Sequence, residues 1–294
     1  MRSSHSLSLR ERFSDLLSLF RVKQWYKNLV IFIPLLFTRG LFNFNLFLLT
    51  FAGFLCLCLM SSANYVINDL LDYDSDRLNP LKKHRPIASG AVSKRLAFFS
   101  FLVLFVVSLF FSYLLGFVFM LFPLFLFVST LLYSVWLKRV PLVDLLVIAF
   151  NFVLRTNSGA VLLGVTVSEW LTLMIFLLAL FLGLGKRYGT VLKLGKKASS
   201  YRKVFSFYSK ELTGSLLNIV VGMLLISYCF YTFFGQANRF IMFSIPVFFF
   251  VVFRYLSLIY QGSLLSLNTE LLFKDKPLFF GLTVWFVIVL LVLY

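Results

Sequence analysis

The sequence predicts an all-α membrane protein: a bundle of about nine transmembrane helices with its N-terminus in the cytoplasm. Three observations carry this. The chain has 294 residues, of which 61% are hydrophobic and only 13% charged, with 39 Phe. Its apolar runs reach the roughly 20 residues that a helix needs to cross hydrocarbon. Its Lys and Arg fall almost entirely on alternate connections between those runs, which sets an orientation.

In chain order, residues 1–27 form a separate segment. Leu7, Leu9, Phe13, Leu16, Leu17 and Phe20 recur among Ser and Arg in an amphipathic pattern, which predicts an interfacial helix rather than a cleaved signal. Residues 28–294 form a single transmembrane domain. Spans are expected at about 28–38 extended by a turn, 46–68, 95–115, 117–136, 141–163, 169–187, 211–234, 240–261 and 277–294. The first is the shortest. Twenty-four Lys and Arg lie before residue 28 and in 69–95, 138–139, 186–210 and 274–276, against Arg39 and Arg239 on the other side. Loops near 69–95, 136–141 and 186–210 are thereby expected on the cytoplasmic face. Cys56, Cys58 and Cys229 fall inside spans at no metal-binding spacing and read as small packing residues.

The chemistry is concentrated at 68–76, Asn-Asp-Leu-Leu-Asp-Tyr-Asp-Ser-Asp, where four of the chain's eleven acidic residues close the second span. If the helix continues, Asn68, Asp72 and Asp76 share one face, with Asp69 one position aside. Oxygen-only ligands favour Mg²⁺, Mn²⁺ or Ca²⁺ over zinc. Four neighbouring carboxylates repel one another, and a cation would relieve this. Lys82, Lys83 and Arg85 follow at once, so metal ligands are mixed with phosphate binders, as a metal-chelated diphosphate requires. His84 has no partner at ligand spacing and reads as a phosphate neighbour.

A second constellation joins Tyr133, Lys138 and Arg139 to Asp144, Asn151 and Arg155, the last three on one helix face. Ionisable groups at membrane depth face the bundle interior and by default serve a site; the plainer alternative is that Asp144 and Arg155 pair structurally. Lys186 and Arg187 close the sixth span. Arg21, Lys23, Gln24, Trp25, Lys27 and Asn28 crowd the start of the first. Lys193, Lys196, Lys197, Arg202 and Lys203 are read as topology determinants that touch anionic lipid.

These residues together resemble the UbiA superfamily of intramembrane prenyltransferases, on the strength of Asn-Asp-x-x-Asp-x-x-x-Asp at the end of a second span. Several stretches are more similar to one branch, the decaprenyl-phosphate phosphoribosyltransferases. They are Arg-Val-Lys-Gln-Trp-Tyr-Lys-Asn at 21–28, Pro-Leu-Lys-Lys-His-Arg-Pro-Ile-Ala-Ser-Gly at 80–90, Tyr-Ser-x-x-Leu-Lys at 133–138, Asp144 through Arg155, Lys186-Arg187, and Asn-Thr-Glu-Leu-Leu-Phe-Lys-Asp-Lys-Pro at 268–277.

The resemblance implies transfer of 5-phosphoribose from phosphoribosyl diphosphate (PRPP) to a polyprenyl phosphate, with Mg²⁺ as cofactor, in cell-envelope polysaccharide precursor synthesis. It implies a multi-pass protein of the inner (plasma) membrane with its active site facing the cytoplasm, and no nucleic-acid partner. Under it Asn68, Asp72 and Asp76 hold Mg²⁺ with Asp69 in support; Lys82, Arg85, Lys138 and Arg155 take phosphates; Lys23 and Lys27 take donor or lipid phosphate; Tyr133, Asp144, Asn151, Lys186 and Arg187 complete the substrate site. A second Asp-rich motif, usual in enzymes that bind a prenyl diphosphate, is missing from 186–210. Tyr188-Gly189-Thr190 also departs from the branch pattern, which has a Glu after the basic pair. Prenyl transfer to an aromatic acceptor and membrane transport are the alternative readings.

Overall fold

The computed structural model describes residues 9–79, 82–195, 203–235, 239–267, 271 and 274–294. Pro80, Leu81, Lys196, Lys197, Arg202, Asn268, Thr269, Glu270, Leu272 and Phe273 lie outside them. The described chain is helical, without a strand. Its helices are α1 (Leu9–Leu19), a 3₁₀ helix (Val22–Phe32) running into α2 (Ile33–Phe37), α3 (Phe44–Leu71), α4 (Tyr73–Leu78), α5 (Lys94–Leu115), α6 (Phe117–Val135) and α7 (Val143–Leu163). After these come α8 (Glu169–Leu194), α9 (Lys210–Phe234), α10 (Ile245–Tyr260), α11 (Leu264–Leu267) and α12 (Lys276–Leu293).

Eight helices among the described residues are long and apolar enough to cross a membrane, and they match the last eight expected spans to within a few residues at nearly every end. Two departures from expectation stand out. The first expected span, 28–38, is not a continuous α-helix: eleven 3₁₀ residues precede five α-helical ones. The second departure is α8, expected to end near 187, which continues to Leu194. Tyr188 and Gly189 remain buried there, so the packing face simply runs on.

Several helix starts are fixed by short polar side chains that accept from orphan backbone N–H groups. Asn43 caps α3, Ser93 α5, Ser168 α8, Ser209 α9 and Asp275 α12.

The chain divides into two compact units: Met1–Leu35, Leu41–Ser134 and Arg155–Val165 form one, and Leu36–Gly40, Val135–Leu154 and Thr166–Tyr294 the other. In the first, α3 packs along α5 and the 3₁₀ helix, with Ser108 Oγ donating to the Cys56 carbonyl at 2.8 Å. Leu19, Val66, Ile87, Val92 and Ala97 form a core that ties α1 and the loop after α4 to these helices. The second half of α7 approaches the 3₁₀ helix so closely that a Cβ on Gly159 would lie 2.1 Å from the Ile31 carbonyl oxygen. Cys56 and Cys58 are buried and unoxidised, as their apolar setting requires.

In the second unit α8 packs on α9 and α10 on α12. Tyr228 lies at its centre, stacked on Phe248 with ring centroids 4.0 Å apart and accepting from Trp285 Nε1 at 2.7 Å. Arg254, at span depth, is held by both carboxylate oxygens of Asp275, at 3.1 and 2.8 Å. This removes the cost of a lone cation there.

Candidate active site

The aspartate motif straddles a break. α3 ends at Leu71, Asp72 adopts φ −88° and ψ 5°, and α4 begins at Tyr73. Backbone bonds from Asp72 N to Asn68 O and from Asp76 N to Asp72 O keep the chain turning through the break. The single uninterrupted face expected for Asn68, Asp72 and Asp76 is thereby interrupted at its middle member. Asp69 and Asp76 are buried, at 3% and 1% exposure, whereas Asn68 and Asp72 are half-buried.

The two buried carboxylates are bridged by a guanidinium. Arg85 Nη1 donates to Asp69 Oδ1 at 2.9 Å and to Asp76 Oδ2 at 2.6 Å. Arg21 Nη2 donates to Asp69 Oδ1 at 2.6 Å, and Lys82 Nζ stands 3.3 Å from Asp76 Oδ1. The Lys82 contact is an ion pair only, and Asp76 Oδ1 accepts no hydrogen bond. Two carboxylates thus carry three cations. Asp69, expected merely to support the metal ligands, is the centre of the network, and Arg85, expected on a phosphate, spans the carboxylates.

Among the described residues no three of His, Cys, Asp and Glu converge as a ready metal cage, because Arg85 and Lys82 lie against the carboxylates that would form it. The donors nevertheless fit Mg²⁺ in kind. They are oxygen-only, and Asp76 Oδ1 is a buried carboxylate oxygen with its lone pairs unused by any hydrogen bond.

Arg21 is placed by strain and by contacts. It sits in the left-handed region, φ 49° and ψ 44°, between α1 and the 3₁₀ helix. Such a conformation persists in a non-glycine residue only where its surroundings hold it. Its guanidinium is fixed by Asp69 and lies 4.7 Å from the Tyr65 ring centroid. Below it a polar seam descends between the 3₁₀ helix and α3. Tyr65 Oη donates to Gln24 Oε1 at 2.7 Å, Lys27 Nζ donates to the same oxygen at 3.1 Å, and Trp25 Nε1 donates to Ser62 Oγ at 3.0 Å. At its foot Arg155 Nε donates to Asn28 Oδ1 at 2.8 Å, while Asn28 Nδ2 donates to Cys58 Sγ and Ser61 Oγ.

In the second unit Asp144 is fully buried and takes Arg187 Nη2 on one oxygen and Tyr208 Oη on the other, both at 2.6 Å. Tyr208 Oη also accepts from Leu142 N at 3.0 Å, at a position with φ 66°. Burial, with the Asp144 hydrogen bond second, pushes the Tyr208 phenol above its usual range, so it remains a neutral donor. Asp144 is thus held by Arg187 and Tyr208, and Arg155 donates to Asn28. Lys186 and Arg187, adjacent in sequence, part company: Lys186 is exposed and Arg187 buried. Asn151 is buried, and Tyr133 and Lys138 are half-buried near the turn Leu137–Arg139.

Sequence reading missed Tyr208 and did not single out Arg21 as the partner of Asp69. Arg21 stood in the flagged 21–28 stretch. Tyr208 had no local signal, since its partner lies 64 residues away.

Residues 29–273 match the UbiA prenyltransferase family model. The chain belongs to the UbiA prenyltransferase family. Among UbiA relatives, decaprenyl-phosphate phosphoribosyltransferase of Corynebacterium glutamicum is 29% identical over 72% of this chain and 65% of its own length. The Mycolicibacterium smegmatis protein of that name is 28% identical over 67% and 64%. An uncharacterised protein, y4nM, of Sinorhizobium fredii is 40% identical over 59% of this chain, which spans only 34% of it. The chain thus covers from about a third to just under two thirds of these relatives. The structure resembles a UbiA homolog from Archaeoglobus fulgidus bound to GPP and Mg²⁺, with TM-score 0.72 and 20% identity, covering 95% of this chain and 99% of that one. A digeranylgeranylglyceryl phosphate synthase structure gives TM-score 0.67 and 16% identity, covering 96% and 97%. The UbiA fold, and with it a multi-pass membrane protein, follows.

Proposed function

We propose that this UbiA-family chain transfers 5-phosphoribose from PRPP to a polyprenyl phosphate and releases diphosphate, as a step in cell-envelope polysaccharide precursor synthesis. The observation that carries this reading is the gathering of three cations, Arg21, Lys82 and Arg85, on the two buried carboxylates of the aspartate motif, Asp69 and Asp76. A prenyl diphosphate is charged at one end only. PRPP is phosphorylated at two separate carbons and meets a lipid phosphate besides, so it needs cations beyond those that hold the leaving group. The two relatives named decaprenyl-phosphate phosphoribosyltransferase support the same choice.

Asn68, Asp72 and Asp76 would hold Mg²⁺, which when bound neutralises the departing diphosphate. The chain's own residues do the rest. Arg85 and Arg21 fix the Asp69 carboxylate, and Lys82, Arg85, Lys138 and Arg155 bind and orient phosphates. Tyr133, Asn151, Lys186, Asp144 and Arg187 are further candidates for substrate contact, the last two as a buried ion pair. In the reaction the C1–O bond to diphosphate breaks with its electron pair leaving on diphosphate, and a lipid phosphate oxygen bonds to C1. That oxygen is already ionised, so no general base is required. Placing 24 Lys and Arg on one side puts the N-terminus and this site on the cytoplasmic face, where a soluble sugar diphosphate is available.

The second reading is transfer of a prenyl group from a prenyl diphosphate, which the bound GPP of the Archaeoglobus homolog favours. Purified protein incubated with labelled PRPP and decaprenyl phosphate, with and without Mg²⁺, separates the two. Labelled, Mg²⁺-dependent lipid is expected. Prenyl transfer to an aromatic acceptor with no lipid labelling would reverse the assignment.

A further inference from the structure

A cavity of about 740 Å³ opens beside the Asp69 carboxylate, between α1 and the turn at His84–Pro86. Neither Asp72 nor Asp76 lines it, so it is not the space in which a metal-chelated diphosphate would meet those carboxylates. Its charged walls are Arg21, Lys23, Arg85 and Asp69. With His84 neutral this leaves a surplus of two positive charges in a half-open recess. Ser14 and Ser18 of α1 line it, and Leu17, Val22 and Pro86 add apolar wall.

We propose that this cavity is a binding site for a phosphomonoester, held by Arg21, Lys23 and Arg85 with Ser14, Ser18 and His84 as further donors.

The match is one of charge, shape and rigidity. A phosphomonoester carries about −1.5 to −2 charges near neutral pH and offers three strong acceptor oxygens. The surplus charge answers the first, and the fork of Arg85 with the Lys23 ammonium answers the second. A volume of about 740 Å³ exceeds what a bare phosphate fills and leaves room for the carbon group that it esterifies. Arg21 enters this wall in a left-handed conformation, with Asp69 and the Tyr65 ring fixing its head. Strain of this kind gathers at ligand clamps, where the geometry must be set before the ligand arrives. Lys23 makes no ion pair with any described residue. The N-terminal helix is then a wall of a binding site as well as an interfacial anchor.

The inference rests on the proposed reaction only for its two candidate occupants, the 5-phosphate of the donor and the phosphate of the lipid acceptor, which are the same chemical group. Binding of ribose 5-phosphate, farnesyl phosphate and Mg²⁺-diphosphate to the full-length detergent-purified protein tests it. Wild-type protein is expected to bind at least one phosphomonoester. Lys23→Gln and Ser18→Asp, both at exposed positions, should weaken that probe tenfold or more, Lys23→Arg should restore it, and Mg²⁺-diphosphate should bind as before. Loss confined to ribose 5-phosphate identifies the donor, and loss confined to farnesyl phosphate the acceptor. The proposal is overturned if wild type binds neither probe, if both substitutions leave binding unchanged, or if Mg²⁺-diphosphate weakens to the same degree. Phosphomonoester binding that the variants weaken, in a protein that does not turn over PRPP, would leave the pocket standing and remove the reaction.

Discussion

Asp76 in one unit and Asp144 in the other are both buried carboxylates with an arginine nitrogen at 2.6 Å, yet they are built for different ends. Asp144 is saturated: one oxygen takes Arg187, the other the Tyr208 hydroxyl, and the group is sealed from solvent. Asp76 is not, because Oδ1 accepts no hydrogen bond while Arg85 is shared with Asp69 and Lys82 stands by at ion-pair distance. A cavity adjoins the second network through Asp69 and Arg85. Burial of a carboxylate beside an arginine therefore does not by itself mark a binding site. Spare acceptor capacity, excess cations and adjacent space do.

The comparison predicts opposite phenotypes for similar substitutions. Asp144→Leu removes one partner of a sealed pair and strands Arg187, so it should destabilise the protein by about 3–5 kcal/mol, read as a lowered melting temperature in detergent. A melting temperature unchanged within error would show that Arg187 reaches water or another partner. Asp72→Asn should act the other way, leaving the melting temperature nearly intact while turnover falls by about a hundredfold or more, roughly 2.7 kcal/mol of transition-state stabilisation. Near-wild-type turnover at saturating Mg²⁺ would take Asp72 out of the metal set.

How much of this was legible beforehand differs between the two networks. The aspartate motif announced itself because four carboxylates in nine residues at the end of an apolar run have few structural uses. Spacing could not reveal the break at Asp72, since a one-residue change of φ and ψ leaves the i, i+4 pattern on paper intact. The spans after the first were readable from length and hydropathy alone. The partner of Asp144 was not readable. Candidates on the same helix looked as good as Arg187, and Tyr208 reaches Asp144 only because the chain folds back after α8.

Smaller effects sharpen the same contrast. Tyr208→Phe leaves an oxygen of Asp144 and the Leu142 N–H without their partner, and should cost about 1–3 kcal/mol of stability. The phenol is held above its ordinary value, so its contribution to stability should be constant below pH of about 10 and decline as pH rises past it in wild type. If Tyr208 governs that decline, Tyr208→Phe will flatten it. At the low end, Asp275→Ala should lose at least about 1 kcal/mol, because it removes the cap of α12 and also the partner of Arg254. Asp275→Asn, which can still accept from Leu278 N, should lose less. The Arg254 guanidinium holds the Asp275 carboxyl below the ordinary range, so whatever the pair contributes is present above an Asp pKa of about 3.9 and fades as pH falls below it.

The 3₁₀ helix Val22–Phe32 carries a consequence for sequence change. An α-helix advances about 100° per residue, so positions three apart drift steadily around its surface, whereas three residues of a 3₁₀ helix complete one turn and stand in a straight column. Trp25, Asn28 and Ile31 form such a column against α3 and the second half of α7, and Lys23, Tyr26 and Leu29 form the exposed one. Tolerance to substitution along this segment should therefore recur every third residue. A single inserted residue would turn everything beyond it by about 120° and carry Asn28 away from Cys58, Ser61 and Arg155 together, so length is constrained here more tightly than composition.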